Sequence, residues 1–436
     1  MNQIAMDPCI PRTKSRSHFE TMKCNQKITL IFFSAIVLQI SGCGALSDPK
    51  SDRETLNNFL KPVNSIDLKT VENAVNRLLI QNKEALSSSD RLQIAAYFDK
   101  IEDPNRAIEQ LEKIQGEDKL ASLARLNEGR LHFIRTRLAS KAEVALKKSV
   151  ALDPKQTEAW ALLASIYDIQ NRLPERDQCY AKLDELSSLN RDQLIHWTCR
   201  RRPDAAIREI GELLRAFVKA DPTDSISVLA LADHLRLQGD FESASKLTEK
   251  VVENQSDNTI LISFQILNAE IAWDRGDLNL TEKIVGEAKV KMDLKYEPTL
   301  QSRLYRISSL IQISRKNYQR AESDLNQALK NKPLDREINQ LMVQVQRFQK
   351  QPELARKYES QLNQIDRLED LAQKSTASLY RDDKLWLEKI ADIAAQSGRD
   401  RVAMAWLRQI LVKDPLNSEI QKKIYQIGER LKERRS

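Results

Sequence analysis

The chain is poor in the residues from which sheets and phosphate-binding loops are built. It holds 10 glycines in 436 residues and only 6% aromatics, and its β-branched residues do not alternate with polar ones over strand-length runs. Extended structure is therefore excluded as a principal component. Histidine is equally scarce. Of four, only His132, His196 and His234 follow residue 42, each far from the others and inside a helical pattern. There is no His-Glu-x-x-His, no paired Cys-x-x-Cys and no glycine-rich phosphate loop. Asp233 and His234 do not form a dyad, because adjacent helical residues point about 100° apart. No group of side chains meets the first geometric test of a catalytic site, so the sequence argues against an enzyme and calls for no cofactor and no metal.

Charge of one sign is missing as well. Charged residues make up 30% of the chain, and the net charge is +7. Setting aside residues 1–42, which hold five Lys/Arg and two Asp/Glu, lowers it to +4. Arg200-Arg201-Arg202 is the one dense basic spot before the C-terminus. A nucleic-acid face needs a basic stripe with aromatics between the cations. The five tryptophans lie instead at helix-stripe positions, and no nucleic-acid partner is expected.

What the chain does have is helical periodicity. Between Asp153 and Tyr180, Trp160, Leu163, Ala164 and Tyr167 fall at steps of three and four, on one stripe of a helix. Asp153-Pro154 closes the helix before it, Thr157 reads as the N-cap, and Asn171-Arg172 reads as a turn. Pro174 then stands at a first helical position, and Tyr180 and Leu183 carry the stripe of a second helix. The pattern recurs around Ala232, Gly239 and Ala244, around Ala269, Gly276 and Ala288, around Tyr305, Lys316 and Ala321, and around Ala391, Gly398 and Ala403. Weaker copies surround Ala95 and Ala107, and Phe133 and Ala142. A further hairpin is predicted from Arg191 to Ala220, closed by Pro222 and opened by a short helix.

Several copies near a 34-residue spacing resemble the tetratricopeptide repeat over roughly residues 89–415. Arg176 and Leu183 stand where that family has its second-helix alanines. The resemblance implies an all-α chain, an α-solenoid of stacked helix-turn-helix hairpins with N- and C-terminal capping helices. In such a solenoid each hairpin touches only its neighbours, and the first helices line a groove for a segment of another protein. The lysine-asparagine clamp of some family members is not reproduced, since Ser165, Asp233, Leu310 and Asp392 hold its asparagine position. The implied groove positions are Glu158, Ser165, Asp168, Asp233, Arg236, Arg303, Arg306, Glu388 and Asp392. Arg303 and Arg306, beside Leu310 and Ile313, are expected to hold an acidic or backbone-carbonyl-rich segment, and their reversal to Glu to leave the melt nearly unchanged.

The ends read differently. From Met22, which offers a second start, Lys23 and Lys27 precede a 13-residue apolar run, Ile28 to Ile40, too short to span a bilayer. Small residues follow, and residues 1–42 read as a secretory signal with a disordered start. Leu38 to Cys43 is similar to the bacterial lipobox, which implies a lipid on Cys43 and a place in the bacterial cell envelope, periplasm-facing or at the outer membrane. Residues 43–62 then read as a lipid-tethered linker merging into a short helix, and 63–88 as an N-terminal capping helix with an apolar stripe of Val71, Ala74, Val75, Leu78 and Leu79. The repeat block runs over 89–363, and 364–436 holds the final hairpin and a capping helix striped by Ile420, Ile424, Ile427 and Leu431. Gln364 to Ala377 reads as a joint between blocks. The function expected is an envelope scaffold that binds another protein. The alternative is a module that regulates or recruits a separately encoded envelope or glycan-processing enzyme. Two readings stay open for Cys179 and Cys199: a bridge across antiparallel helices, favoured by export, or two buried reduced thiols.

Overall fold

A computed structural model describes residues 50–61, 67–81, 86–200, 204–252, 257–291 and 298–433. Among them are 22 α-helices, one π-helical turn and no strand. The chain divides into two compact units, 1–116 and 117–436.

The first unit holds α1 (Lys50–Leu60), α2 (Leu68–Gln81), α3 (Ser88–Lys100) and α4 (Pro104–Glu112), paired as two hairpins. On α2, Val71, Ala74, Val75 and Leu78 are buried, with Leu56 of α1, while Leu79 is half-buried. Asp90 does double duty. It closes a capping box with Ser87 at the start of α3, and it takes Arg53 of α1 in a two-pronged ion pair at 2.7 and 2.8 Å. What reads in sequence as a tether merging into a short helix, then a capping helix, is a helix hairpin from Lys50 onward.

The second unit begins with α5 (Lys119–Leu131), which runs into a π-helical turn (His132–Thr136), and α6 (Ala139–Leu152). It continues through α7 (Thr157–Ile169), α8 (Leu173–Glu185), α9 (Arg191–Thr198), α10 (Asp204–Ala220), α11 (Ser225–Leu237), α12 (Phe241–Val252), α13 (Asn258–Asp274) and α14 (Leu278–Lys291). Next come α15 (Pro298–Ser314), α16 (Tyr318–Asn331), α17 (Arg336–Phe348), α18 (Pro352–Lys374), α19 (Ser378–Arg381), α20 (Lys384–Gln396), α21 (Asp400–Leu411) and α22 (Ser418–Glu433). The pairs α5/α6, α7/α8, α11/α12, α13/α14, α15/α16, α17/α18 and α20/α21 pack as hairpins, and α22 covers the last.

Small residues let the paired helices approach. Ala142, Ala244, Thr281, Ala321 and Ala403 are wholly buried at the matching position of five second helices. At Gly129 a Cβ would stand 2.5 Å from Leu146, so only glycine lets α5 and α6 meet there. The turns need left-handed backbone. Gly239, Gly276 and Gly398 supply it freely, while Asn171, Lys316 and Lys350 adopt φ of 58°, 62° and 60° at a cost of about 1–2 kcal/mol each. Arg176, which breaks the alanine pattern, is 2% exposed and satisfied by Asp168 at 2.7 Å and Asp177 at 2.8 Å. Thr157 is the first helical residue of α7 rather than its cap. The cap is Gln156, whose side chain makes no capping bond.

Two expectations fail for one reason. Residues 191–220 do not pack as a hairpin: α9 lies against α8, α18 and α21, while α10 packs on α7 and α11. In α9 the short stretch Leu194, Ile195 and Trp197 is buried, more apolar surface than one partner helix covers. The C-terminal helices supply the rest, and a single apolar core joins Leu163, Trp197, Leu371 and Trp406. The path of the second unit therefore returns on itself instead of touching only its neighbours. Residues 364–374 are accordingly no joint. They are the last turns of the 23-residue α18, with Leu368, Leu371 and Ala372 in that core.

Candidate partner-binding face

The first helices α11, α13 and α15 stack directly on one another, and their side chains form an ion ladder. Its centre is Glu270 of α13, the one charged residue between Asp257 and Asp274. Its carboxylate takes Arg303, whose Nε lies 3.2 Å from one oxygen, and Arg306 at 2.7 Å. Arg236 approaches it at 3.9 Å and also pairs with Asp233 (3.1 Å) and Asp274 (2.6 Å), while Arg306 reaches on to Glu337 of α17 at 2.9 Å. Burial pushes the Glu270 carboxyl up, but Arg303, Arg306 and Arg236 outweigh it and hold the group at about 2. The same carboxylates raise the Arg303 guanidinium against its own burial.

This overturns one expectation. Arg303 and Arg306 do lie side by side on the first-helix face, but they are committed to an internal carboxylate whose side chain is 3% exposed. They do not stand ready for an acidic segment. The signal for Glu270 was present in the sequence, as a lone charge in a 16-residue uncharged helix pattern that had to find a partner.

Of the remaining predicted positions, Glu388 and Asp392 come together at a cavity of about 340 Å³ between α18, α20 and α22. Lys423 of α22 bridges them at 3.1 and 3.9 Å, and Arg367, Leu385, Lys389 and Ile393 complete the walls. Arg367 and Lys423 come from helices that the repeat pattern does not assign to a groove. On α7, Asp168 is bound to Arg176, the exposed Ser165 donates to the carbonyl of Ala161 at 3.0 Å, and Glu158 is half-buried.

Cys179 and Cys199 are free and buried, so the structure contains no bridge between them. The helix that was to carry Cys199 ends at Thr198. Cys199 is extended and turns its sulfur toward the carbonyl of Glu369 at 3.6 Å. Burial pushes both thiols up to about 12. Cys43 lies outside the described residues. Among those described, no helix is long and apolar enough to cross a membrane, and no group of side chains is arranged to hold a metal.

No protein-family model and no curated protein matches the chain. Several solved structures resemble it. PilW, described as a widely conserved type IV pilus biogenesis factor, is 13% identical, with 56% of this chain and 92% of that one covered and a TM-score of 0.31. A tetratricopeptide repeat protein from Parabacteroides merdae is 16% identical over 58% and 99%, with a TM-score of 0.33. A monomeric IFIT1 mutant with Gppp-AAAA is 15% identical over 92% and 94%, with a TM-score of 0.34. At these values the likenesses say nothing of partners, and the helical-hairpin architecture stands on the chain's own packing.

Proposed function

We propose that the chain is a binding scaffold of the bacterial cell envelope, held to the membrane by a lipid on Cys43, that takes a segment of another protein on its first-helix face. The cavity walled by Glu388, Asp392, Lys423, Arg367 and Leu385 carries this reading, since it is open, mixed in polarity and includes Glu388 and Asp392, two positions that the repeat resemblance implies for a groove. A protein suits the face better than a nucleic acid because Arg236, Arg303 and Arg306 are already paired with carboxylates, leaving little excess positive charge.

A photo-crosslinking residue at Gln396, on the cavity wall, should trap one protein in envelopes of bacteria expressing the chain, and Glu388→Arg should lose it. The same crosslinker at Lys283, on the second helix α14, should not trap it. Equal trapping from both positions would sink the reading. The identity of the trapped protein separates a structural assembly from a separately encoded enzyme. For the anchor, wild type should take up labelled palmitate and Cys43→Ala should not; an unlabelled wild type defeats that part.

A further inference from the structure

The seam where the second unit returns on itself holds a second cleft, of about 210 Å³, between α8–α9 on one side and α21–α22 on the other. Trp197, Met404 and Leu431 give it an apolar lining, and Asp184, Arg408 and the exposed Arg401 are charged groups on its walls. Gly428 is also part of the lining. It stands in the middle of α22, where glycine costs about 1 kcal/mol relative to alanine. No close contact explains it, because a Cβ there would meet nothing within 4 Å. The missing side chain leaves that wall of the cleft open.

The charges around the cleft are mostly spoken for. Asp184 is paired with Arg408, Glu185 with Lys182 at 2.7 Å, and Lys432 with Glu429 at 2.8 Å. Arg401 makes no ion pair among the described residues. An unpaired guanidinium beside an apolar pocket selects a ligand that carries an apolar group next to a carboxylate. An apolar cavity of about 150 Å³ accommodates a benzene ring, so this cleft has room for one aromatic or branched side chain.

We propose that the cleft takes a single apolar side chain from a partner-protein segment whose adjacent Asp or Glu pairs with Arg401. The inference rests on the reading that the chain binds protein segments. Because the walls come from both ends of the returning path, an occupant contacts both and strengthens the closure of the seam.

Random heptapeptides displayed on phage, panned on the full chain, test it. The expected peptides carry Phe, Trp, Leu or Ile beside Asp or Glu. As synthetic peptides they should bind Gly428→Phe, which fills the cleft from a position with free space, and Arg401→Glu, a change at an exposed side chain, at least tenfold more weakly. Both variants should melt within a few degrees of wild type. Enriched peptides that bind the two variants as well as wild type, or that carry Lys or Arg in place of the acid, overturn the cleft and leave the first-helix face standing. If no peptide is enriched at all, the cleft proposal falls and the broader reading falls with it.

Discussion

The indole Nε1 of Trp406 donates a hydrogen bond of 2.9 Å to the hydroxyl of Thr198, across 208 residues of chain. Beside it, Arg399 donates to the carbonyls of Trp197 and Thr198, each at 2.5 Å. These carbonyls are the C-terminal end of α9, where the helix dipole is negative and the last oxygens lack partners of their own. Arg399 makes no ion pair among the described residues, and its burial, reinforced by Arg200, pulls the guanidinium down to about 10. A helix of eight residues, too short to stand alone, is thus capped from α21.

Removing that cap should loosen the seam before anything else. Arg399→Ala is expected to cost about 2–3 kcal/mol, the range for hydrogen bonds from a charged donor and for carbonyls left bare. Trp406→Phe should cost about 1 kcal/mol, because Thr198 keeps its bond to the Leu194 carbonyl. Amide hydrogen exchange should rise over residues 191–199 and stay unchanged over α13 to α16. Uniform acceleration across the second unit would contradict a local role.

Reversing Arg303 and Arg306 to Glu should destabilise the chain by at least about 3 kcal/mol, since it leaves buried Glu270 facing like charges. Combining Glu270→Gln with Arg303→Gln should show a coupling above about 1 kcal/mol in a double-mutant cycle. An unchanged melt for the double reversal would return the two arginines to the surface role that their sequence positions suggested.

Acidification should weaken the fold in two separate windows. His132 is buried in the π-helical turn, and burial first, then Lys141, hold it at about 4, below its ordinary 6.5. The unfolded chain takes up that proton first, so stability falls as the pH drops from about 6.5 to about 4. Glu270, held at about 2 against an ordinary 4.5, contributes stability that is fully present above 4.5 and is lost as the pH falls toward 2. His132→Gln should flatten the upper window and Glu270→Gln the lower, in melts recorded every half unit of pH. If each variant keeps the wild-type slope in its own window, the assignment is wrong.

Cys179 and Cys199 should resist alkylation in the native chain at pH 8, because burial keeps both protonated. Both should react within minutes once guanidinium is added without reductant. Peptide mapping that finds the two residues joined by a disulfide would refute this.

The first-helix face was only partly legible in the sequence. Glu388 and Asp392 were placed from repeat position alone, and the structure sets them on one cavity wall. The same positional argument misjudged Arg303 and Arg306. Periodicity says which face of a helix a residue occupies, not whether a partner on another helix has already claimed its charge. That partner, Glu270, lies 33 residues away from Arg303, one repeat earlier.

The sequence by itself determined the helices, their turns and most hairpin pairings. All three depend on residues within about 40 positions of one another: stripes at steps of three and four, buried alanines such as Ala244 and Ala403, and left-handed turn residues such as Gly239 and Gly398. The tertiary structure decided the rest. That α9 leaves its expected mate, that Trp406 meets Thr198, and that Cys199 turns toward Glu369 are contacts between segments 170 to 208 residues apart. No local period encodes such a contact. It forms because the apolar residues of α9 remain exposed until helices from the far end of the unit cover them.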